Sequence, residues 1–312
     1  MPAPATPGEA VAASAMNHRQ AVRVMVAAAL LWSIAGVVSR HLEHARGWEV
    51  TFWRSAFNAL ALLALLPWLR GARASWQAVR DGGRALWLSG ACWAVMFTAF
   101  MLALTLTTVA NVLVTLSLGP LFTALASRLV LGHRLARRTW AAIAAAGLGV
   151  AWMYGHQVST GDARQLLGTA VALGVPVAAA VNWTLLHHLK SHESPPDMLA
   201  AVLVGALVSA ALTAPLAWPF AASARDLSLL ALLGVVQLAV PCLMAVSAAR
   251  VLSAPEISLL GLLEVVFGVL WAWLGAGEAP SLHVIGGGLV VLAALAANEA
   301  WALRSRPAGA SA

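Results

Sequence analysis

The chain has 312 residues, 61% of them hydrophobic and only 10% charged, with a formal net charge of +7. A soluble domain carries about a quarter charged residues, so soluble enzymes and binding modules are excluded; repeated runs of about twenty apolar residues identify a polytopic membrane protein. The surplus charge does not point to nucleic acid, because the arginines lie in short loops between apolar runs and no basic stripe is interleaved with aromatics.

Residues 1–20 are rich in Ala and Pro and read as a disordered tail, without the basic start and apolar run of a cleaved signal peptide. The first apolar segment, 22–39, contains Trp32, and the polar loop after it, 40–50, holds His41 and His44. The second segment, 51–69, sets Arg54 and Asn58 one turn apart on one face. Arg54 is expected at the outer mouth, paired with Glu49 or drawing in anions, with snorkelling to the interface as the plainer reading. A basic loop, 70–84, leads to the third segment, 85–104, where Trp93, Met96 and Phe97 face either an interior cavity or lipid. A short turn at 105–107 precedes the fourth, 108–130, which carries Asn111 and Thr115 and is expected to kink at Pro120. A second basic loop, 132–138, and the fifth segment, 139–154, complete the first half; the connector 155–165 is the seam.

The sixth segment, 166–187, contains Pro176, Asn182 and Trp183. In the polar loop 188–197, His187-His188-x-x-x-His192 is the nearest approach to a metal-binding cluster, set against the plainer reading of a polar helix end. The seventh segment is 198–218, and the eighth, 227–249, carries Gln237 and Pro241. The ninth opens with Ser253, Pro255 and Glu256 in capping-box spacing and runs to Gly275, with Ser258 and Glu264 inside. Glu264 is the one acidic residue in the middle of a span. A carboxylate at that depth marks a transport pathway, or is protonated and packed between helices. The tenth segment, 281–303, ends in a polar tail, 304–312. Cys92 and Cys242 lie within apolar segments away from any C-x-x-C or Cys/His cluster, as packing residues do, and no metal or other cofactor is expected.

The two halves read as copies. A shift of 145 positions carries Gly277-Glu278 onto Gly132-His133, Phe267 onto Phe122 and Ser253 onto Thr108, and a shift of 151 carries Asn182-Trp183-Thr184 onto Leu31-Trp32-Ser33. Fourteen of the 19 Lys and Arg residues fall on one side of a ten-segment topology and five on the other, which places both termini in the cytoplasm. Five crossings per half is an odd number, so the copies insert in opposite orientation. The expected fold is therefore all-α, ten transmembrane helices in two inverted five-helix repeats, 21–160 and 161–303.

These features resemble the EamA family of the drug/metabolite transporter superfamily. The resemblance rests on Leu31-Trp32, Arg54, Ser117-Leu118-Gly119-Pro120, and Gly277-Glu278 with Gly286, and it covers residues 21–301. The first half has Gly132-His133 where the family carries Gly-Glu. The resemblance implies a central cavity built from helices 1–4 and 6–9, with helices 5 and 10 in support. It also implies export of amino acids, metabolites or drugs, or metabolite import. Substrate-contacting candidates are Trp32, Asn58, Trp93, Asn111, Thr115, Trp183, Gln237, Ser258 and Glu264, with Glu264 also the candidate for proton coupling. Each polar member has a competing role in holding helices together. The most economical function is a secondary transporter of small metabolites, an exporter of amino acids or related compounds. Drug efflux or metabolite import on the same fold is the runner-up, and a membrane-embedded enzyme is the alternative from another class. The sequence contains no G-x-S-x-G, H-E-x-x-H or Walker motif, which argues against hydrolase and ATPase chemistry. The expected partners are a small-molecule substrate and the lipid bilayer, without nucleic acid, in a monomer or homodimer. The abundance of Ala, Gly and Arg suggests a GC-rich bacterial genome and hence the bacterial inner membrane.

Overall fold

A computed structural model describes residues 16–107, 109–132, 136–155, 163–190, 197–276 and 281–304. Among these residues there is no strand, and eight helices are long and apolar enough to cross a membrane. The molecule is a multi-pass membrane protein. His133, His192, Gly277, Glu278 and most of the tail 1–20 lie outside the described residues.

The first crossing, His18–Ser39, consists of α1 (His18–Trp32) and α2 (Ala35–Ser39), interrupted at Ser33–Ile34. Asn17 and Gln20 form a capping box at its start, which carries the helix further back than hydropathy alone indicates. Next come α3 (Trp48–Arg70), α4 (Ala72–Asp81) and α5 (Gly83–Leu106). The expected basic loop at 70–84 is thus mostly helix. In α4, Arg73, Trp76 and Arg80 follow at helical spacing, no residue is buried, and Trp76 is exposed, as in a helix lying in the lipid–water interface.

The fourth crossing divides into α6 (Val109–Leu116) and α7 (Gly119–Leu131). The break lies at Ser117–Leu118, just before Pro120, whose missing N–H leaves the Leu116 carbonyl without a helical donor. Next are α8 (Arg137–Tyr154), α9 (Ala163–Leu189) and α10 (Leu199–Ala217). The segment expected as the eighth is α11 (Ala224–Leu232), a π-helical stretch (Leu233–Ala239) and α12 (Val240–Ala248). Pro241 removes the donor for the residue 237 carbonyl, a local reason for the widened turn. The ninth divides into α13 (Ala254–Gly261) and α14 (Leu263–Ala276), and α15 (Leu282–Arg304) is last. Ser253 and Glu256 form the expected capping box, but the segment is broken at Leu262 instead of running through.

The packing has a regular pattern. α3 packs on α10, α7 on α13 and α8 on α15; α5 meets α9 and α10, just as the π stretch and α12 meet α1 and α3. Exchanging the halves maps these pairings onto one another. The break at Ser117 and the break at Leu262 are also 145 positions apart, the offset seen in the sequence. Several helix contacts need glycine. A Cβ at Gly149 would stand 2.8 Å from the Gly287 carbonyl oxygen across the α8–α15 contact. One at Gly90 would stand 2.6 Å from Val204 across the α5–α10 contact. In lipid, such close backbone approach replaces the hydrophobic drive that water would supply. Hydroxyl groups bond across the same interfaces, with Ser55 and Thr98 each 2.9 Å from Ser209 and Ser89 donating to Asn182 at 2.6 Å.

Polar contacts tie the halves together at both ends of the bundle. At one end, Asp197 pairs with Arg70 and His18 lies 3.0 Å from Glu256; within the second half, Asp197 also meets Arg250 and Lys190 donates to the Leu252 carbonyl at 2.6 Å. Burial pushes the Lys190 ammonium down to about 8, opposed in part by Glu256. At the other end, Asp226 accepts the backbone N–H groups of Glu43, His44 and Ala45 at 2.8, 3.0 and 3.0 Å, and Glu49 accepts those of Ala221 and Ala222 at 2.9 and 2.8 Å.

Candidate functional site

Both halves contribute to one central cavity of about 960 Å³, its open mouth included. Its walls come from α1, α3, α5, α6, α7, α9, the π stretch, α12, α13 and α14. α8 and α15 stand outside it. So does α10, contrary to the expectation that the seventh crossing lines the cavity: its Gly205 is pressed against the α5 backbone behind Trp93. α7 packs on α13 at one end of the cavity, whereas α6 and α14, beyond the two breaks, do not form a packed pair among the described residues. The cavity therefore flares toward the Asp226 end.

The walls are aromatic and thioether-rich. Trp93 meets Trp183 edge to face at 5.6 Å and Phe97 at 5.5 Å; Trp32, Phe100, Met25 and Met96 complete much of the apolar surface. Trp32 and Trp183, matched across the repeat, border the same space. Trp93 and Trp183 are buried, and of the two environments open to Trp93 it takes the cavity rather than lipid. The break after α1 exposes the Trp32 carbonyl, which accepts Gln237 Nε2 at 3.1 Å, so an interruption in one half is closed by the π stretch of the other. Trp271 Nε1 donates to Ser33 Oγ at 3.0 Å and ties α14 to the same interruption.

Five of the sequence candidates beyond Trp32 reach the lining: Trp93, Trp183, Gln237, Ser258 and Glu264. Three sit behind it. Asn58 is fully buried in α3, one turn from Arg54. Asn111 donates to Thr107 Oγ1 at 2.7 Å, and Thr115 donates to the Asn111 carbonyl at 2.6 Å, so both serve helix contacts and local backbone.

Arg54 departs furthest from expectation. It neither snorkels nor pairs with Glu49, whose carboxylate is taken by the 221–222 backbone and Trp53. It is 1% exposed and borders the cavity; Nη2 donates to the Phe97 carbonyl at 3.1 Å, and the guanidinium lies 5.8 Å from the centre of the Phe100 ring. The signal was present in Arg54 and Asn58 at i, i+4, a polar face in an apolar segment. Arg54 and Glu264 are the two formally charged side chains on the lining, and no ion pair within 4 Å joins them among the described residues. The cavity thus combines a large apolar surface with two opposite charges and several polar groups, a composition suited to binding a small bipolar organic molecule.

A family model described as EamA-like transporter family matches residues 20–155 and again 166–298. No curated protein matches the chain. Among solved structures, one described only as "Crystal structure of protein" aligns with a TM-score of 0.76 at 18% identity, over 93% of this chain and 99% of its own, a likeness of fold alone.

Proposed function

The chain belongs to the EamA-like transporter family, within the drug/metabolite transporter superfamily, and from that premise we propose that it is a secondary transporter of small metabolites, an exporter of amino acids or related compounds working by alternating access. The observation that carries this reading is the cavity shared by both halves deep among the spans, apolar over most of its wall, with five aromatic rings, and carrying Arg54 and Glu264. In this reading the chain crosses the bilayer ten times in two inverted repeats. The crossings at α8 and α15 support the rest. The interchangeable packing of the halves and the matched breaks at Ser117 and Leu262 favour inversion. Both termini lie in the cytoplasm of a bacterial cell whose inner membrane holds the protein, consistent with the arginine asymmetry.

The Asp226 end then faces outward, and the structure is an outward-facing state. Closing α6 on α14 while parting α7 from α13 would expose the cavity to the other side. The Asp197, His18–Glu256 and Lys190 contacts gather at the cytoplasmic end and must rearrange in that step. A carrier fits the lining better than a catalyst: it offers Ser258 and Cys242, with no histidine or second carboxylate among the described residues to activate either.

Purified protein in proteoliposomes tests the reading. Export predicts counterflow of at least one amino acid or amine from a labelled panel, dependent on the protein and saturable. No counterflow for any member, with hydrolysis or transfer products forming instead, would overturn it.

A further inference from the structure

Three lining residues have buried polar atoms without a hydrogen-bond partner: Arg54 Nε and Nη1, Trp93 Nε1, and Gln237 Oε1. They fall into two chemical groups. Arg54 on α3 and Trp93 on α5 offer only donors. Gln237 Oε1 on the π stretch and the Glu264 carboxylate on α14 offer acceptors. The donor pole is fixed in place, because Arg54 Nη2 is held by the Phe97 carbonyl one turn from Trp93 and Gly234 lets the π stretch lie close against the Arg54 backbone. The acceptor pole is fixed as well, because Gln237 is anchored through Nε2 to Trp32.

We infer that the cavity is a two-pole receptor for a zwitterion: a carboxylate bound by Arg54 and Trp93, an ammonium bound by Glu264 and Gln237, and an apolar or aromatic body held among the tryptophans. This rests on the transport reading and narrows its substrate to monocarboxylate α-amino acids with bulky apolar side chains. The charge balance selects the class. A buried ion without a partner is costly, and the lining carries one formal charge of each sign. A simple cation leaves Arg54 unanswered. A simple anion leaves Glu264 unanswered. A dianion such as a phosphate ester finds one guanidinium and no second cation on the lining. A net-neutral bipolar ligand satisfies both poles, and Arg54 Nε and Nη1 form the adjacent pair of donors that a carboxylate accepts in bidentate fashion. The Trp93–Trp183 edge-to-face pair leaves flat ring surface for the body of the ligand.

Binding to the full-length protein in detergent, followed by tryptophan fluorescence and calorimetry, tests this without requiring transport. The probes are phenylalanine, its methyl ester, which lacks the carboxylate charge, and 3-phenylpropionate, which lacks the ammonium. Phenylalanine should bind tightest, with each one-pole analogue weaker by roughly 10- to 100-fold, the loss expected for a hydrogen bond to a charged group. Arg54→Gln should weaken phenylalanine and abolish its advantage over the ester. Glu264→Gln should abolish the advantage over 3-phenylpropionate and keep the ester penalty. Arg54→Lys, with the charge but not the fork, should fall between. Should Arg54→Gln fail to fold, the three probes on the unaltered protein still decide: equal affinity for phenylalanine and its ester overturns the inference. So does a well-folded Arg54→Gln protein that binds phenylalanine normally, and so does the absence of phenylalanine binding at millimolar concentration. If phenylalanine binds through Arg54 and Glu264 but no counterflow is seen, the receptor stands and the transport reading falls.

Discussion

Asp226 is the sharpest test of how the halves are held at the flared end of the cavity. Its carboxylate is fully buried at the first turn of α11 and accepts four backbone N–H groups: Glu43 on Oδ1, and His44, Ala45 and Ser223 on Oδ2. Three of these come from the loop between α2 and α3, more than 180 residues away in the chain. The helix N-terminus adds favourable field. Asp226→Asn keeps the shape, yet one oxygen becomes an NH₂ group that faces donors. Either one N–H group or three lose their acceptor, and the bonds that remain are no longer charge-assisted. At about 1.5–3 kcal/mol for each hydrogen bond to a charged group, and allowing for incomplete additivity, the variant should lose about 3 kcal/mol. Arg225→Gln, one residue away, is the control. It removes an exposed ion pair with Glu43 and should cost under about 1 kcal/mol. The buried free thiols of Cys92 and Cys242 supply the assay, because a thiol-reactive fluorophore reports unfolding when it reaches them. Asp226→Asn should melt several degrees below both the parent and Arg225→Gln. Equal melting of the two variants would refute the view that this buried carboxylate fastens the halves.

Four further outcomes are expected. Glu264→Gln should abolish accumulation against a gradient while sparing downhill exchange at saturating substrate, if the carboxylate carries protons; normal accumulation ends that role. The double variant Trp32→Ala, Trp183→Ala should fold and reach the membrane but lose most transport, because both indoles wall the cavity; unchanged uptake kinetics would count against it. Lys190 has a folded-state value of about 8, below its ordinary 10.5, so the unfolded chain binds the extra proton between those values and stability should rise with pH from about 8 to 10.5. Lys190→Met, measured over the same range by thermal melting, should lack that rise. Finally, Gly205→Leu should fail to assemble, since even a Cβ there would stand 2.9 Å from the Gly90 carbonyl oxygen; normal yield and melting would show that α5 and α10 can separate.

The helical crossings were legible because hydropathy reports lipid directly, and the repeat was legible because Ser253, Phe267 and Gly277 keep one offset of 145 from Thr108, Phe122 and Gly132. The interruptions at Ser33–Ile34 and Leu262 were not. A helix can break where its carbonyls find partners elsewhere, and Gln237 and Trp271 come from remote crossings to the first of these sites. Only the break before Pro120 carried a local cause in the sequence, and it was expected as a kink. The α4 helix is masked by its charge: the arginines mark a basic loop, although Arg73, Trp76 and Arg80 stand at helical spacing. Arg54 departs from the expected place for a tertiary reason. Near the start of a span, snorkelling is the ordinary fate, but Glu49 is already engaged by the 221–222 backbone and the Phe97 carbonyl draws the guanidinium inward.

What is repeated and what is not divide the labour within the cavity. The matched elements are mechanical: two breaks at equivalent places, between α6 and α7 and between α13 and α14, and a tryptophan at equivalent places in α1 and α9. Under the proposed alternating access, such symmetry would let one half do on one side what its copy does on the other. The charges break it. The position matched to Glu264 is Gly119, which also borders the cavity but brings no polar side chain and has the Ser258 hydroxyl 3.4 Å from where a Cβ would sit. A carboxylate at both positions would put two like charges in one space, and one of them would have to be neutral. With glycine at one and glutamate at the other, the lining keeps one charge of each sign, and a ligand's orientation is set by which half it faces. On this view Gly119→Glu should not create a second equivalent site; it should crowd Ser258 and repel Glu264.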